Sequence, residues 1–296
     1  MTNSDYRLSN RANQLIFEQE IAPDLLADLS SQDNPIAVFI GGQVGAGKTG
    51  VANIVKRAVG LRGRYVDANM DFYSPYHPAY NHLLALDEIN ASAHIRADTE
   101  QWWNLAQDFA ITARSDVIIE TAMRSPAEFE QLIARFGDAG YRVHAVILAV
   151  AAPISRLGIL SRYVDMVEHS GKGRYIEPTV HDECYHGVLR AAKAIDRDHL
   201  VDSVTVVKRD TTALMTKQLT QNRHWNNPKP TTQAIITERQ RPWTTQEQTW
   251  FDHQTSTLKT RVDTIHQQDL NELIALKPQA RSPELKPPRH GTTLGL

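Results

Sequence analysis

One octapeptide constrains this chain more than any other feature. Gly42-Gln43-Val44-Gly45-Ala46-Gly47-Lys48-Thr49 fits the pattern G-x-x-x-x-G-K-[ST] in full. The apolar run Ile36–Ile40 leads into it, and a helix-compatible run, Gly47–Val59, leads out. A strand, a glycine-rich turn and a helix in that order make a phosphate-binding loop. The glycines let backbone N–H groups converge on phosphate oxygens, and the new helix directs its positive end at them. Lys48 then neutralises the β- and γ-phosphates of ATP, and the Thr49 hydroxyl ligates Mg²⁺. Gly45-Ala-Gly47-Lys-Thr-Gly50 also spells G-x-G-x-x-G, with Asp67 where a ribose-binding acid would stand. A dinucleotide site gains nothing from the Lys-Thr pair, so the phosphate loop is the stronger reading.

The rest of the chain has the rhythm that such a loop requires. Ile36–Ile40, Tyr65–Val66, Val117–Ile119, Val143–Val150 and Val204–Val207 read as strands; Gly47–Val59, Glu100–Ala113, Pro126–Ala139, Ile154–Glu168 and His181–Ile195 read as helices. Strands apolar on both faces and alternating with helices predict an α/β fold, a parallel sheet flanked by helices. Residues 1–34 form a short helical lead-in and residues 35–210 the P-loop core. Residues 211–296 form an extension, rich in Thr, Gln, Asn and Arg, then helix-like over 245–275, then Pro-rich and basic. That last stretch is expected to be extended.

Composition narrows the function classes. A net charge of −2 argues against a dedicated nucleic-acid binder. The longest apolar stretch, Val143–Ala152, is about half of the ~20 residues a bilayer span needs, and the polar start lacks a secretory pattern. With Cys184 as the only cysteine, the expectation is a cytoplasmic protein without an internal disulfide. Cys184 reads as buried packing, Trp102-Trp103 as core, and His181-Asp182 as a pair that caps or orients a helix.

Two further acids and several arginines complete the candidate site. Asp71 follows the second strand, at the carboxyl edge where ligands of open parallel sheets bind, and can accept the proton of an attacking hydroxyl. The strand it follows is expected to lie beside the phosphate loop, with that of Glu120 one farther along. Residues 72–80, crowded with aromatics and prolines, wall a pocket or pack on the core. Glu120, ending the third strand, has three possible jobs: contacting Mg²⁺ through water, gripping a substrate hydroxyl or holding an arginine. Arg124 is a candidate phosphate or sugar contact, and Arg162 and Arg174 are candidates to cover the γ-phosphate, Arg174 from a glycine-rich loop.

Taken in order, these motifs resemble the zeta toxin family, the kinase half of epsilon/zeta toxin–antitoxin systems. The carriers are Gly-Gly-Gln-Val-Gly-Ala-Gly-Lys-Thr (41–49), Asp71 before His77-Pro78, Ile-Ile-Glu-Thr-Ala-Met-Arg (118–124), Ser-Arg-Tyr (161–163) and Arg174 before His181-Asp182. The resemblance implies ATP-dependent phosphorylation of UDP-N-acetylglucosamine at the 3′-hydroxyl of the amino sugar. It implies Lys48 and Thr49 for ATP and Mg²⁺, Asp71 as general base, Glu120 and Arg124 on the UDP-sugar, and Arg162 and Arg174 on the γ-phosphate. It also implies a small epsilon-type antitoxin whose helix covers the nucleotide site. The sequence departs from the family around the base, where Asp71-Phe72-Tyr73 replaces a more polar stretch. The family's substrate-binding acid on the helix before the third strand has no clean counterpart; Asp98, Glu100 and Asn104 all stand where it would be. Competing readings are a P-loop phosphotransferase for an antibiotic, a nucleoside or NAD, and a regulator that ATP merely switches.

Overall fold

The structure, a computed structural model, describes residues 6–86 and 90–278. Its first compact unit extends to Gln240 and the second begins at Arg241. The first unit is built on six strands: β1 (Ile36–Gly41), β2 (Val66–Asp67), β3 (Val117–Thr121), β4 (Arg142–Leu148), β5 (Ser203–Val207) and β6 (Ala213–Gln218). They lie in the order β2-β3-β1-β4-β5-β6. The first five are parallel and β6 returns antiparallel along β5. In β1, every residue after Ile36 is buried, which is what a central parallel strand covered on both faces requires.

The helices follow from the pattern between strands. The lead-in folds as α1 (Asn10–Ile16), a π turn (Phe17–Ile21) and α2 (Ala22–Leu25), and Phe17 and Ile21 join the core. Then come α3 (Lys48–Gly60), α4 (Tyr80–Leu86), α5 (Ala91–His94), α6 (Arg96–Ala113), α7 (Pro126–Asp138), α8 (Ala152–Ser170), α9 (Pro178–Asp198) and α10 (Thr231–Gln240). Local chemistry marks several ends. Ser125 caps α7, its hydroxyl accepting from Glu128 N, with Pro126 in the first turn. On one face of the sheet, Phe39 packs edge-on against Phe129 and Phe136 of α7, at ring separations of 5.9 and 6.0 Å. Burying each such ring contributes about 1.5–3 kcal/mol. On the other face, Val38 and Ile40 pack with Val51, Ala52 and Val59 of α3.

The sheet does not end where the sequence texture changes. β6 and α10 lie beyond residue 210, yet Lys217 of β6 is almost fully buried, bonded to Asp196 of α9 at 2.5 Å and lying over the Trp225 ring. Asp196 also accepts from Thr231 N and Thr231 Oγ1 at the start of α10, each at 2.6 Å. One half-buried carboxylate therefore ties the end of α9, the edge strand and α10 into the core unit, whereas polar composition alone suggests an appendage.

In the second unit, the helix-like stretch 245–275 divides into α11 (Thr245–Lys259) and α12 (Gln267–Ala275). Thr244 and Glu247 form a reciprocal capping box. The Arg241 guanidinium and the cap hold the Glu247 carboxyl down at about 2. The Pro-rich end, residues 279–296, lies outside the described residues. Among the described residues no helix is long and apolar enough to cross a membrane.

Candidate active site

The carboxyl edge of β1 turns into the phosphate loop, and its geometry explains the glycines. Gly45 and Gly47 have φ of +76° and +86°, a region that side chains avoid. A Cβ on Gly45 would stand 2.0 Å from the Ser155 carbonyl oxygen, so α8 is seated directly on the loop. Gly47 caps the start of α3 in a left-handed conformation, which aims the first amides of that helix into the loop's hollow. Lys48 Nζ donates to the carbonyl oxygens of Gly42 (2.8 Å) and Gln43 (3.4 Å). Burial pushes its ammonium below the ordinary lysine range. The Glu120 carboxylate opposes that shift, and Arg162 adds a smaller push downward. An incoming phosphate would favour the charged ammonium that burial penalises.

The strand order revises the expected placement of the acids. β3 lies between β1 and β2, so Glu120 stands directly across from Ile40 and lies one strand closer to the loop than β2. Asp71 lies in a short 3₁₀ turn (Met70–Phe72) beyond β2, one strand farther out, with its amide tied to Asn69 Oδ1 at 3.0 Å. Sequence distance along the chain had suggested the opposite order; the connection from β1 to β2 skips one position, which β3 then fills, and this reverses it. Asp71 is exposed, as are Thr49, Arg124, Arg162 and Arg174.

A cavity of about 470 Å³ opens beside this edge. Its wall includes Met70, Glu100, Asn104, Glu120 and Arg124, which brings the turn before Asp71, α6 and the end of β3 to one space. Of the three polar residues on α6, Glu100 and Asn104 line it. Asp98 does not: it is almost fully buried and accepts from Leu8 N (3.2 Å) and Asn13 Nδ2 (3.2 Å), with His77 Nε2 at 3.4 Å. Ala79 N donates to His77 Nδ1, so the Nε2 proton points to Asp98 and the pair ties the 72–80 segment to the core. In that segment Tyr73 and His77 are buried while Phe72 is exposed. The tryptophans divide: Trp102 is core and donates to Asn13 O, whereas Trp103 donates to Ala68 O and lines the cavity.

Arg124 pairs with Glu183 of α9 at 2.5 Å while reaching the cavity rim. The loop of Arg174 is anchored by the Tyr163–Tyr175 ring contact at 5.5 Å, next to the end of α8. Cys184 is buried, as expected, and receives a hydrogen bond from the Val44 amide of the phosphate loop.

Sequence reasoning missed two lysine and arginine positions. Lys56, two turns along α3 from Lys48, reaches Asp67 Oδ2 at 2.6 Å and Glu120 Oε1 at 3.8 Å. Burial would depress its ammonium, but the Asp67 hydrogen bond and charge, with Glu120 behind, carry it above the ordinary value. A lysine at i+8 from the loop lysine on one helix face was the available signal. Arg209, after β5, lies against Gly47, where a Cβ would meet its Nε at 3.3 Å. Only the sheet reveals that neighbour.

The chain is similar to known proteins. The family model for zeta toxin matches residues 23–220. The chain belongs to the zeta toxin family. Among curated relatives, toxin PezT of Streptococcus pneumoniae serotype 4 (strain ATCC BAA-334 / TIGR4) is 22% identical over 187 residues, covering 61% of this chain and 71% of that protein. Toxin zeta of Streptococcus pyogenes is 25% identical over 167 residues, covering 55% of this chain and 54% of that protein, about half its length. The solved structure from the PezAT chromosomal toxin–antitoxin system of Streptococcus pneumoniae covers 93% of this chain and 100% of its own, with a TM-score of 0.70 at 17% identity. The native AvrRxo1-ORF1:ORF2 complex aligns with a TM-score of 0.51 at 12% identity, covering 91% of this chain and 85% of that one. These likenesses establish the zeta toxin fold: the mostly parallel sheet with its phosphate loop at the carboxyl edge.

Proposed function

We propose that this zeta toxin family member is an ATP-dependent kinase that phosphorylates the 3′-hydroxyl of UDP-N-acetylglucosamine. The observation that carries the reading is the adjacency of a phosphate loop and a cavity of mixed polar and apolar lining at one sheet edge, with Glu120 in the cavity wall and its charge acting on Lys48. In this reading the loop amides and Lys48 hold the β- and γ-phosphates, and Thr49, at the start of α3, is the protein's Mg²⁺ ligand. The site fits a magnesium nucleotide: left-handed Gly45 and Gly47 keep side chains out of the loop's hollow, and the Thr49 hydroxyl stands in the first turn of α3 beside it. Mg²⁺ keeps most of its shell as water and phosphate oxygens and would supply charge neutralisation there. Glu120 and Arg124 bind the UDP-sugar in the cavity, Asp71 accepts the proton of the attacking hydroxyl, and Arg162 and Arg174 stabilise charge on the departing γ-phosphoryl group.

A second assignment has an observation in its favour. Glu120 lies in the strand beside the loop and in the cavity wall, so it can serve as base while Asp71 orients the sugar. Asp71→Asn and Glu120→Gln separate the two by which one loses turnover while retaining acceptor affinity. The family points to a protein antitoxin as partner and to a cytoplasmic site of action. The test is expression in bacteria: the parent chain should arrest growth and accumulate a phosphorylated UDP-sugar, whereas Asp71→Asn should be tolerated. Arrest without any phosphorylated UDP-sugar would remove this acceptor.

A further inference from the structure

Arg239 occupies a costly position. It lies on α10, is 5% exposed, and has no carboxylate partner among the described residues. Its guanidinium stacks over the Tyr185 ring at 3.8 Å and donates to the Tyr185 carbonyl oxygen at 2.9 Å. The other nitrogen donates to Gln43 Oε1 at 3.0 Å, across 196 positions of sequence. Burial lowers the guanidinium to about 10, a sign of how poorly it is compensated. A buried cation held only by neutral acceptors and a ring lowers stability unless the contact serves something else.

The contact is with the second residue of the phosphate loop. Gln43 is fully buried, and its amide donates to Val150 O (2.8 Å) and Ser155 Oγ (3.1 Å) while accepting from Arg239. A carbonyl can only accept and a guanidinium can only donate, so the orientation of the amide is forced. Beyond it the polar contacts continue in a row. Ser155 Oγ lies 2.8 Å from His181 Nε2 and within reach of the Ala152 carbonyl oxygen (3.1 Å), His181 Nδ1 lies 2.8 Å from Asp182 Oδ1, and Arg156 closes the row by donating to Asp182 Oδ2 (2.7 Å). Ser155, His181 and Asp182 have the spacing of a nucleophilic triad. Ser155 and His181 are both fully buried, however, and the serine oxygen is held between Gln43 and His181, so the row is a strut. The backbone carbonyl oxygen of Gln43 accepts from Lys48 Nζ at 3.4 Å, so a shift of this residue moves one of the lysine's docking points.

We propose that Arg239 is a positioning residue for the nucleotide site, holding the phosphate loop in its binding conformation through the Gln43 side chain. The inference rests on the nucleotide-binding reading of the loop and assigns a part in it to α10, outside every motif. It explains why a guanidinium is buried where a leucine would pack at less cost.

The test is a double-mutant cycle on the full chain, read as the Kd for Mg·ADP by calorimetry. Arg239→Met removes both hydrogen bonds and keeps an unbranched chain over Tyr185; Gln43→Ala removes the link from the loop side and leaves Arg239 on Tyr185. Each should weaken ADP about tenfold, the worth of a charge-assisted hydrogen bond, and the pair together should lose about the same tenfold. Amide exchange over residues 43–47 should quicken in both. Unchanged affinity in both single variants, or losses that multiply to about a hundredfold in the double, would overturn the strut. If Arg239→Met fails to fold, Gln43→Ala decides alone: unchanged ADP affinity and loop exchange in it overturn the proposal. A parent chain that binds no ADP overturns the nucleotide reading itself, and the strut with it.

Discussion

Replacing Gly158 by alanine tests how closely α8 is seated on the phosphate loop. Gly158 is inside the helix, where glycine costs about 1 kcal/mol relative to alanine, so the substitution should stabilise if space allows. Space does not allow: the new Cβ would stand 2.6 Å from the Gly45 carbonyl oxygen, against the 3.4 Å of an ordinary contact. The obstacle is backbone on both sides, so loop and helix must separate by about 0.8 Å. Overpacking of this kind costs about 1–3 kcal/mol, which leaves a net loss of about 0–2 kcal/mol after the helix gain. At about 2–4 °C per kcal/mol the melting midpoint should fall by no more than about 8 °C. Turnover is more sensitive, because a displacement near 1 Å in a phosphate cradle costs up to about a hundredfold. Differential scanning calorimetry and steady-state kinetics with varied ATP make the comparison. The expected result is a folded protein with kcat/KM for ATP down by about 10–100-fold. A variant with turnover within about twofold of the parent would refute the argument that Gly158 exists to let α8 touch the loop.

Lys48→Ala should leave the melting midpoint near that of the parent and abolish phosphoryl transfer, since its ammonium serves charge and not packing; normal turnover would contradict this. Asp71→Asn should retain Mg·ATP binding by calorimetry and lose transfer by a factor of ~10²–10⁴. Arg162→Ala and Arg174→Ala should lower kcat far more than they raise the acceptor KM, and an effect confined to KM would place them in the acceptor cavity. Stability should fall as pH drops below about 6.5, because burial lowers His77, His144 and His181 from that ordinary value. Unfolded histidines bind protons in that window while the buried ones do not, which favours unfolding. Thermal midpoints at pH 7.5 and 5.5 measure it, and a midpoint that does not fall refutes it.

The phosphate loop, its flanking strand and helix, and the alternation of the core were legible because each is written in contiguous residues. Gly45 and Gly47 need left-handed backbone, and Ile36–Ile40 needs two covered faces. The order of strands was not legible, since a crossover can pass on either side of β1, and the relative placement of Asp71 and Glu120 depends on that choice. β6 was missed because Thr216, Lys217 and Gln218 read as polar coil; its place comes from pairing with β5 and from Asp196 on α9. Asp98 looked as available as Glu100 on the same helix, and only His77 and Asn13 converging on it remove it from the cavity. Likewise, Gln43 fits the loop motif as a variable position, yet its side chain faces away from any ligand into a buried row of donors.

The account stands most directly on where the phosphate goes. Purified protein should be incubated with γ-labelled ATP and a panel of UDP-sugars, nucleosides and NAD, and the labelled product resolved by mass spectrometry and NMR. Phosphate on the 3′-hydroxyl of the amino sugar of UDP-N-acetylglucosamine, absent in the Lys48→Ala control, is the predicted result. Phosphate on a nucleoside or on NAD with UDP-sugars untouched would contradict the acceptor, and no transfer to any acceptor by a protein that binds ATP would contradict the kinase.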